Sequence, residues 1–432
     1  MIFDDLVKDL RNRFEKIGKE RSDNATYTVG NMLMSGFALF SLKDSSLSKF
    51  IRNLKNRTSN LKTIFHISQA PSDTAMRTII DEVPTQDIKQ LFIPYIEQLD
   101  NEGILVDYTY LGRLLIPLDG TRYFSSNKIS CKCCLTTEHQ NGTITYHHDA
   151  ICACIVHPNH KEVFPIGIED ICKQDGQTKN DCETNAAKRL VPQIIEHTPW
   201  DKILLGGDAI YATGPMVLLT QQQALLHHKE VNFIFSVKPK SHAYLFLQFE
   251  RLEKAETIKH FTSESKSKKY VTKYANNLII NGSHPDLLVN FIYFEEHDLK
   301  KGTIKTFTWI TDIPVTIDNY TKLVKAGRAR WKIENETFNT LKNQGYEFEH
   351  NFGHGEQFLA ANFAVLMLLA FLFDQIQQRT NRMFKLAKLQ MGTFKELWEK
   401  IRFLFDLTPL PSMQFIYKII AKKIKMKVQF IV

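Results

Sequence analysis

Apolar residues recur at two different spacings along this chain, and the change between them divides it into regions. In the first hundred residues the apolar positions follow a helical spacing, as they do between Met32 and Phe40. A Pro-Ser-Asp sequence at 71–73 interrupts the pattern and supplies a cap for the next helix. The sequence therefore predicts a helical N-terminal region over residues 1–105, and its scattered bases suit an accessory DNA-binding role.

From about Gly112 the chain changes to short apolar runs, which predict strands. The predicted strands are 114–118, 150–156, 163–168, 202–205 and 233–237, and helices are predicted at 183–197 and 215–228. Strands that first form hairpins and then alternate with helices are typical of a mixed sheet flanked by helices. The predicted fold class is therefore α/β, and residues 106–238 form the first part of its core.

Residues 239–312 interrupt the alternation and predict a β-rich insertion. Its predicted strands are 269–274, 277–280, 287–294 and 306–310. Helical patterns at 317–343 and 356–379 complete the core over 313–380, and a basic C-terminal region follows at 381–432. The apolar run 359–373 is shorter than the roughly 20 residues of a membrane span, so a buried helix and no membrane partner are predicted.

Composition narrows the classes of function that need to be considered. The formal net charge of +8 favours a polyanionic partner such as nucleic acid, although a basic soluble enzyme of another kind remains an alternative. Seven cysteines, an odd number, and the lack of an apolar segment within residues 1–24 indicate a reducing, cytoplasmic location. The sequence contains neither a G-x-x-x-x-G-K-[ST] loop nor a G-x-S-x-G turn, which disfavours an ATP-driven machine and a serine hydrolase of that type.

Three acidic residues lie where a metal site requires them. Asp119 and Asp208 each follow a predicted strand, and Glu334 lies in a predicted helix. Carboxylates from separate elements can converge on two divalent cations about 3.5–4 Å apart. Mg²⁺, or Mn²⁺ in its place, prefers such ligands together with phosphate oxygens.

Four phrases, at 118–126, 179–183, 327–336 and 345–355, resemble bacterial insertion-sequence DDE transposases. The resemblance covers about residues 34–373. It implies an RNase H-like core with Asp119, Asp208 and Glu334 as the catalytic carboxylates. It also implies a β-rich insertion before the glutamate, and the interval between Asp208 and Glu334 is long enough to contain one.

A tyrosine, arginine, glutamate and lysine signature surrounds the catalytic helix of the related branch, and this chain matches it in part. Arg330 lies four residues before Glu334, as the signature requires. Gly327 stands at the tyrosine position, and Leu341 at the lysine position with Lys342 after it. One residue rotates a helical side chain by about 100°, which weakens the expectation that Lys342 grips phosphate.

Other residues are assigned by the same resemblance and by charge. Glu336 is the rival of Glu334 for the third carboxylate. Trp331 either stacks on an unpaired base or belongs to the core. Lys238 and Lys240, at the basic start of the insertion, are expected to bind DNA.

A second metal site is predicted at 129–149. Cys131, Cys134 and His139 are followed by His147 or His148, and an Asn-Gly turn signal lies between the two ligand pairs. Two cysteines and two histidines suit a structural Zn²⁺, and family members show a similar pattern whose last histidine is nearest His148. Buried thiols with surface histidines are the alternative.

Two further groups are interpreted as structural. His350 and His354 are four residues apart, but the flanking Gly353 and Gly355 favour a loop, so metal binding is not predicted there. Asp175, Asp181 and Glu183 form an acidic cluster near the predicted core. Asp181 and Glu183 are interpreted chiefly as acids at the start of a helix, and a supporting role next to the metal ligands is the alternative.

Together these features predict a DNA transposase that acts, as a homodimer, on the ends of a mobile element and on target DNA. Two alternatives remain: a catalytically inactive DNA-binding protein derived from such an enzyme, and a metal-dependent nuclease of the same fold.

Overall fold

The computed structural model describes residues 1–18, 26–172 and 182–423. Asp175, residues 179–181 of the second transposase-like phrase and the tail beyond residue 423 lie outside the described residues.

One mixed sheet of eleven strands runs through the described part of the chain. Its strands are β1 (Thr109–Tyr110), β2 (Arg113–Ser126), β3 (Leu135–Glu138), β4 (Ile144–Ile155), β5 (Phe164–Ile171), β6 (Lys202–Gly207), β7 (Glu230–Ser236), β8 (Lys259–Glu264), β9 (Lys268–Asn281), β10 (His284–Asp298) and β11 (Thr303–Thr311). The strand order is β3-β4-β2-β6-β7-β11-β10-β9-β8, with β1 paired to β2 and β5 paired to β4. The predicted α/β class, with a mixed sheet, is confirmed.

The centre of the sheet combines both strand directions. β4 is antiparallel to both β2 and β5, whereas β2, β6 and β7 run parallel to one another. The central strand β6 is an unbroken apolar run in which Ile203, Leu204 and Leu205 are all buried. Such runs are typical of parallel strands that are covered on both faces.

The β-rich segment after β7 extends the same sheet. β11 pairs antiparallel with β7, and β10, β9 and β8 follow as a meander. The insertion is β-rich, as predicted, and continues the central sheet by backbone hydrogen bonds. The predicted strands 269–274 and 277–280 form the single strand β9, and the strand β8 and a helix over residues 243–254 were not predicted.

Helices flank this sheet. They are α1 (Phe3–Phe14), α2 (Val29–Ser41), α3 (Leu47–Phe65), α4 (Asp73–Asp81), α5 (Thr85–Lys89), α6 (Phe92–Asn101), α7 (Glu183–His197), α8 (Gly214–Leu226), α9 (Ala243–Lys254), α10 (Tyr320–Ala329), α11 (Asn339–Asn343), α12 (Leu359–Thr380), α13 (Arg382–Met391), α14 (Phe394–Leu407) and α15 (Met413–Ile420). A 3₁₀ turn, Leu105–Tyr108, and a π-helical segment, Ile333–Phe338, complete the described elements.

The first and last parts of the chain pack into one helical layer. α2 contacts α12, and twelve of its thirteen residues are buried, so it is a core helix of this layer. The buried Arg57 of α3 forms ion pairs with Asp44 and with Asp406 of α14. Arg13 also forms an ion pair, with Asp9. Two bases of the predicted DNA-binding region, Arg57 and Arg13, are thus paired with acids of the protein itself.

The helix α12 has the length and apolar composition of a membrane-spanning helix, but 89% of its most apolar window is buried inside the protein. A side chain from another helix caps the backbone N–H groups at its start. The Asp81 carboxylate of α4 accepts the N–H groups of Glu356, Gln357, Phe358 and Leu359 at 2.7–3.0 Å. The buried helix predicted from the apolar run is present.

Candidate active site

Asp119 lies in β2, and Asp208 directly follows β6, the parallel strand next to it. The strand register places the two aspartates side by side. Pro117 of β2 pairs with Gly206 of β6, and each aspartate lies two residues beyond its member of that pair. Close packing at this point favours glycine, since a Cβ on Gly206 would come within 3.3 Å of the Pro117 Cα. Strand register therefore brings the two predicted aspartates together.

Glu334 reaches the same place from the π-helical segment. This segment packs against β2 and β4 through the buried side chains of Ile333, Thr337 and Phe338. The single helix predicted over 317–343 is interrupted here, because hydrogen bonding changes to the wider π pattern, which is frequent at functional sites. The Glu334 side chain is left exposed on the side of Asp119.

Electrostatics distinguishes Glu334 from Glu336. Burial and the negative charges of Asp208 and Glu334 raise the pKa of Asp119 to about 6, against an opposing effect of Arg330. Glu336 instead interacts with Lys332, whose pKa is lowered chiefly by burial. The negative charges that act on Asp119 are thus those of Asp208 and Glu334, whereas Glu336 acts on Lys332. We refer to Asp119, Asp208 and Glu334 as the acidic centre.

Arg330 lies within this centre. Its Nη1 donates to Oδ2 of Asp119 at 2.6 Å, and both side chains are largely buried. In the described part of the chain, no other basic side chain forms an ion pair with Asp119, and none forms one with Asp208 or Glu334. The centre therefore retains excess negative charge.

Glu183 is a fourth carboxylate beside the three predicted ones. It begins α7, as predicted, but it also accepts a 2.5 Å hydrogen bond from the hydroxyl of Tyr211. Burial and the charges of Asp208 and Asp119 raise its pKa, while the Tyr211 hydroxyl and the Gly120 N–H act in the opposite direction. The one sequence signal for this role was its place in the phrase 179–183, since an acid that begins a helix is common.

The other residues assigned to DNA differ in their exposure and contacts. Trp331 is half exposed, next to Arg330 in sequence. Lys238 and Lys240 are exposed and line a cavity of about 700 Å³ that Ala209 and Ile210, which follow Asp208, also line. Lys342 forms a 2.8 Å ion pair with Glu349, so its ammonium group is engaged within the protein.

Gly327, which stands at the signature tyrosine position, is explained by packing. A Cβ there would come within 2.6 Å of the Trp309 ring of β11. The indole fills the space that a side chain at residue 327 would need.

A second cluster joins Cys131, Cys134, His148 and His354, whose ligand atoms all lie within 4.8 Å of one another. The His148 Nε2 is 3.3 Å from the Cys131 sulfur and 3.4 Å from that of Cys134, and the His354 Nε2 is 3.3 Å from the latter. Zinc bond lengths in a tetrahedral site place ligand atoms roughly 3.3–3.8 Å apart. The donor set and its spacing fit a structural zinc ion.

This geometry corrects the predicted ligand set. His139 lies outside the cluster, because it belongs to the β3–β4 turn, where its Nε2 contacts the Thr145 hydroxyl at 2.8 Å. His354 takes the fourth position, although the sequence indicated only a loop there. It does lie in a loop, and the Asn351 side chain contacts its Nδ1 at 3.4 Å.

The two clusters differ in compactness. Among the residues that the structure describes, the Cys/His cluster is the one group of three or more ligating side chains compact enough for a single ion. Asp119, Asp208, Glu334 and Glu183 do not form such a compact group in this structure.

No family model matches this chain, and no curated protein was found to match it.

Proposed function

We propose that this protein is a DDE transposase, which cleaves DNA at the ends of a mobile element and joins the freed 3′-hydroxyl to target DNA. One observation carries the proposal: Asp119, Asp208 and Glu334 come from three separate elements and form one electrostatically coupled centre. Isolated acids on a surface seldom perturb one another's pKa, whereas active-site carboxylates often do. The resemblance of the phrases around Asp119 and Glu334 to such transposases agrees with this arrangement.

The fold supports the proposal at a coarser level. A mixed sheet flanked by helices is what an RNase H-like core requires, and the β-rich segment lies between Asp208 and Glu334, as in the branch that the sequence resembles. We therefore propose an RNase H-like core, with β8 to β11 as the insertion.

Divalent cations fit the acidic centre by charge and by donor chemistry. Arg330 pairs with Asp119, and burial together with the charges of Asp208 and Glu334 raises the pKa of Asp119. Oxygen ligands with excess negative charge are those that Mg²⁺ prefers. In this proposal Asp119, Asp208 and Glu334 hold the ions, which would activate water or a 3′-hydroxyl and stabilise the departing oxygen.

Neighbouring residues have supporting roles in this proposal. Arg330 orients the Asp119 carboxylate through its 2.6 Å hydrogen bond. Lys238 and Lys240 neutralise phosphates in the cavity beside Asp208, and Trp331 offers an exposed indole on which a base can stack. Lys342 becomes available to phosphate only if its ion pair with Glu349 opens.

We also propose that Cys131, Cys134, His148 and His354 hold a structural zinc ion. Cys131 and Cys134 lie between β2 and β3, His148 lies on β4, and His354 precedes α12. A closed set of four protein ligands leaves no position for substrate, which favours a structural role. The ion would fasten the loop before α12 to the sheet.

Double-stranded DNA is the proposed partner, and synapsis of two element ends requires two copies of the chain. The alternatives are an inactive DNA-binding derivative and a nuclease that cuts without joining. Gly327 and Lys342, which depart from the signature, motivate the first of these.

The test uses labelled DNA that carries the inverted repeats flanking the gene. Mg²⁺-dependent nicks at the repeat ends together with joined products support a transposase. Nicks without joined products would replace it with the nuclease, and binding without nicks in Mg²⁺ or Mn²⁺ would replace it with the DNA-binding protein.

A further inference from the structure

Glu183 lies closer to the acidic centre than its place at the start of a helix requires. A Cβ added to Gly120 would come within 2.6 Å of the Glu183 Cδ and Oε2, so the carboxylate lies directly over the residue that follows Asp119. Helix α7 is held there by packing against β4, β5 and α8. The helix thus delivers one carboxylate to the middle of the catalytic strand β2.

The second strand of the centre is linked to the same carboxylate through Tyr211. This buried tyrosine follows Asp208 by three residues, and its N–H bonds the Asp208 carbonyl at 3.2 Å. Its hydroxyl donates to Glu183 Oε1 at 2.5 Å. Glu183 therefore lies against β2 next to Asp119 and contacts Tyr211 in the turn that follows Asp208.

The charges next to Glu183 are those of other acids. Among the described residues, no lysine, arginine or histidine forms an ion pair with it, and its neighbours in the centre are Asp119 and Asp208. A carboxylate beside other carboxylates is costly unless a cation accompanies them. Arg330 pairs with Asp119, so among the described residues the four carboxylates outnumber the bases that pair with them.

We infer that Glu183 is a fourth carboxylate of the metal centre and takes part in binding the divalent cations. The inference rests on the proposed function, because it concerns the same cations. Gly120 then has a structural role, because its lack of a side chain leaves the space above β2 that this carboxylate occupies.

The experiment measures Mn²⁺ binding by calorimetry to the full chain, with Zn²⁺ supplied so that the Cys/His cluster is filled. Glu183→Gln keeps an oxygen for the Tyr211 hydroxyl but removes the charge. We expect it to weaken Mn²⁺ binding about tenfold, because affinity for hard cations follows the number of charged ligands. Glu336→Gln, whose carboxylate faces Lys332, is the matched control and should bind as wild type does.

Gly120→Ala is a second variant that keeps the Glu183 side chain but displaces it from β2. It should weaken Mn²⁺ binding in the same direction, and the double variant should lose little more than either single one. Circular dichroism and thermal unfolding check that each variant folds. Wild-type binding by both Glu183→Gln and Gly120→Ala would overturn the inference.

Asp119→Asn separates this inference from the proposed function. If Asp119→Asn loses Mn²⁺ while Glu183→Gln keeps it, the metal centre stands and only the role of Glu183 falls. If wild-type protein and Asp119→Asn bind Mn²⁺ equally, the metal centre itself falls, and the role of Glu183 falls with it.

Discussion

The Arg330 guanidinium donates a 2.6 Å hydrogen bond to the Asp119 carboxylate, across 211 residues of sequence. This contact joins the helical segment that carries Glu334 to the strand that carries Asp119. It also opposes the effect of burial and of the neighbouring acids on the pKa of Asp119. Arg330 therefore sets both the position and the ionisation of the first aspartate.

Replacing Arg330 tests this link through the pH dependence of DNA cleavage. In Arg330→Gln the pKa of Asp119 should rise above about 6, since the one opposing positive charge is removed. Below the new pKa, the active ionised fraction falls about tenfold per pH unit. At a Mg²⁺ concentration that does not saturate the centre, where protons compete with the cation for Asp119, cleavage by the variant should thus be lost most at pH 6 and recover towards pH 8. An equal loss at every pH would show that Arg330 does not act on this ionisation.

Asp119→Asn should make the protein more stable at neutral pH. A carboxyl group whose pKa is raised from 3.8 to about 6 on folding destabilises the folded state once it ionises. Stability from this group is therefore present below pH 4 and is lost as the pH rises to about 6. The loss is on the order of 3 kcal/mol, at about 1.4 kcal/mol per pKa unit.

Denaturant unfolding in EDTA at pH 4 and at pH 7 measures this difference. The variant should match wild type at pH 4 and exceed it at pH 7. The assignment of Asp119 to a crowded acidic centre would be contradicted if the stability of the variant relative to wild type were lower at pH 7 than at pH 4.

Much of the acidic centre could be predicted from the sequence, and the reason is local. Asp119 and Asp208 follow buried apolar runs that pair in parallel, so strand register brings them together. The strand predicted at 114–118 does not end before Asp119, however, because β2 continues to Ser126 in pairing with β4. The choice between Glu334 and Glu336 is less local, because it depends on the π-helical segment, which periodicity does not reveal. Glu183 could not be placed beside Asp119 without knowing that α7 packs over Gly120.

His354, which joins the Cys/His cluster, shows the limit of sequence reasoning more clearly. Spacing rules find ligands that are close in sequence, which is why His139 was chosen, whereas Cys134 and His354 are 220 residues apart. The flanking glycines correctly indicated a loop, but the position of that loop depends on α12 and its cap from Asp81. Tertiary packing, rather than local pattern, supplies the fourth ligand.

Histidine substitutions distinguish the two possible ligand sets of the proposed zinc site. His354→Ala should lose bound zinc, measured by elemental analysis after dialysis, and should unfold at a lower temperature, because a structural ion stabilises only the folded state. His139→Ala is the matched control and should retain zinc, since His139 contacts only Thr145 in the turn. The opposite result for the two variants would restore the sequence-based ligand set.

We expect a large loss of stability when the buried Arg57, which links α3 to α14, is replaced. Arg57→Ala removes the hydrogen-bonded counter-charge of Asp44 and, in part, of Asp406, and leaves Asp44 with the longer-range charge of Arg402. Loss of one partner of such a buried pair costs about 3–5 kcal/mol. Arg52→Ala, an exposed position on the same helix, should change stability by less than about 0.5 kcal/mol. Urea unfolding of both variants measures the difference. Equal, small effects would mean that the N-terminal and C-terminal helices are not held together by this pair.

The central claim is that Glu334, with Asp119 and Asp208, catalyses DNA cleavage and joining. The most direct measurement compares Glu334→Gln with Glu336→Gln on labelled element ends in Mg²⁺, with DNA binding measured in parallel. Glu334→Gln should bind DNA but yield neither nicked nor joined product, whereas Glu336→Gln should yield both, since Glu336 faces Lys332. Full activity in Glu334→Gln, or loss of activity only in Glu336→Gln, would contradict the account.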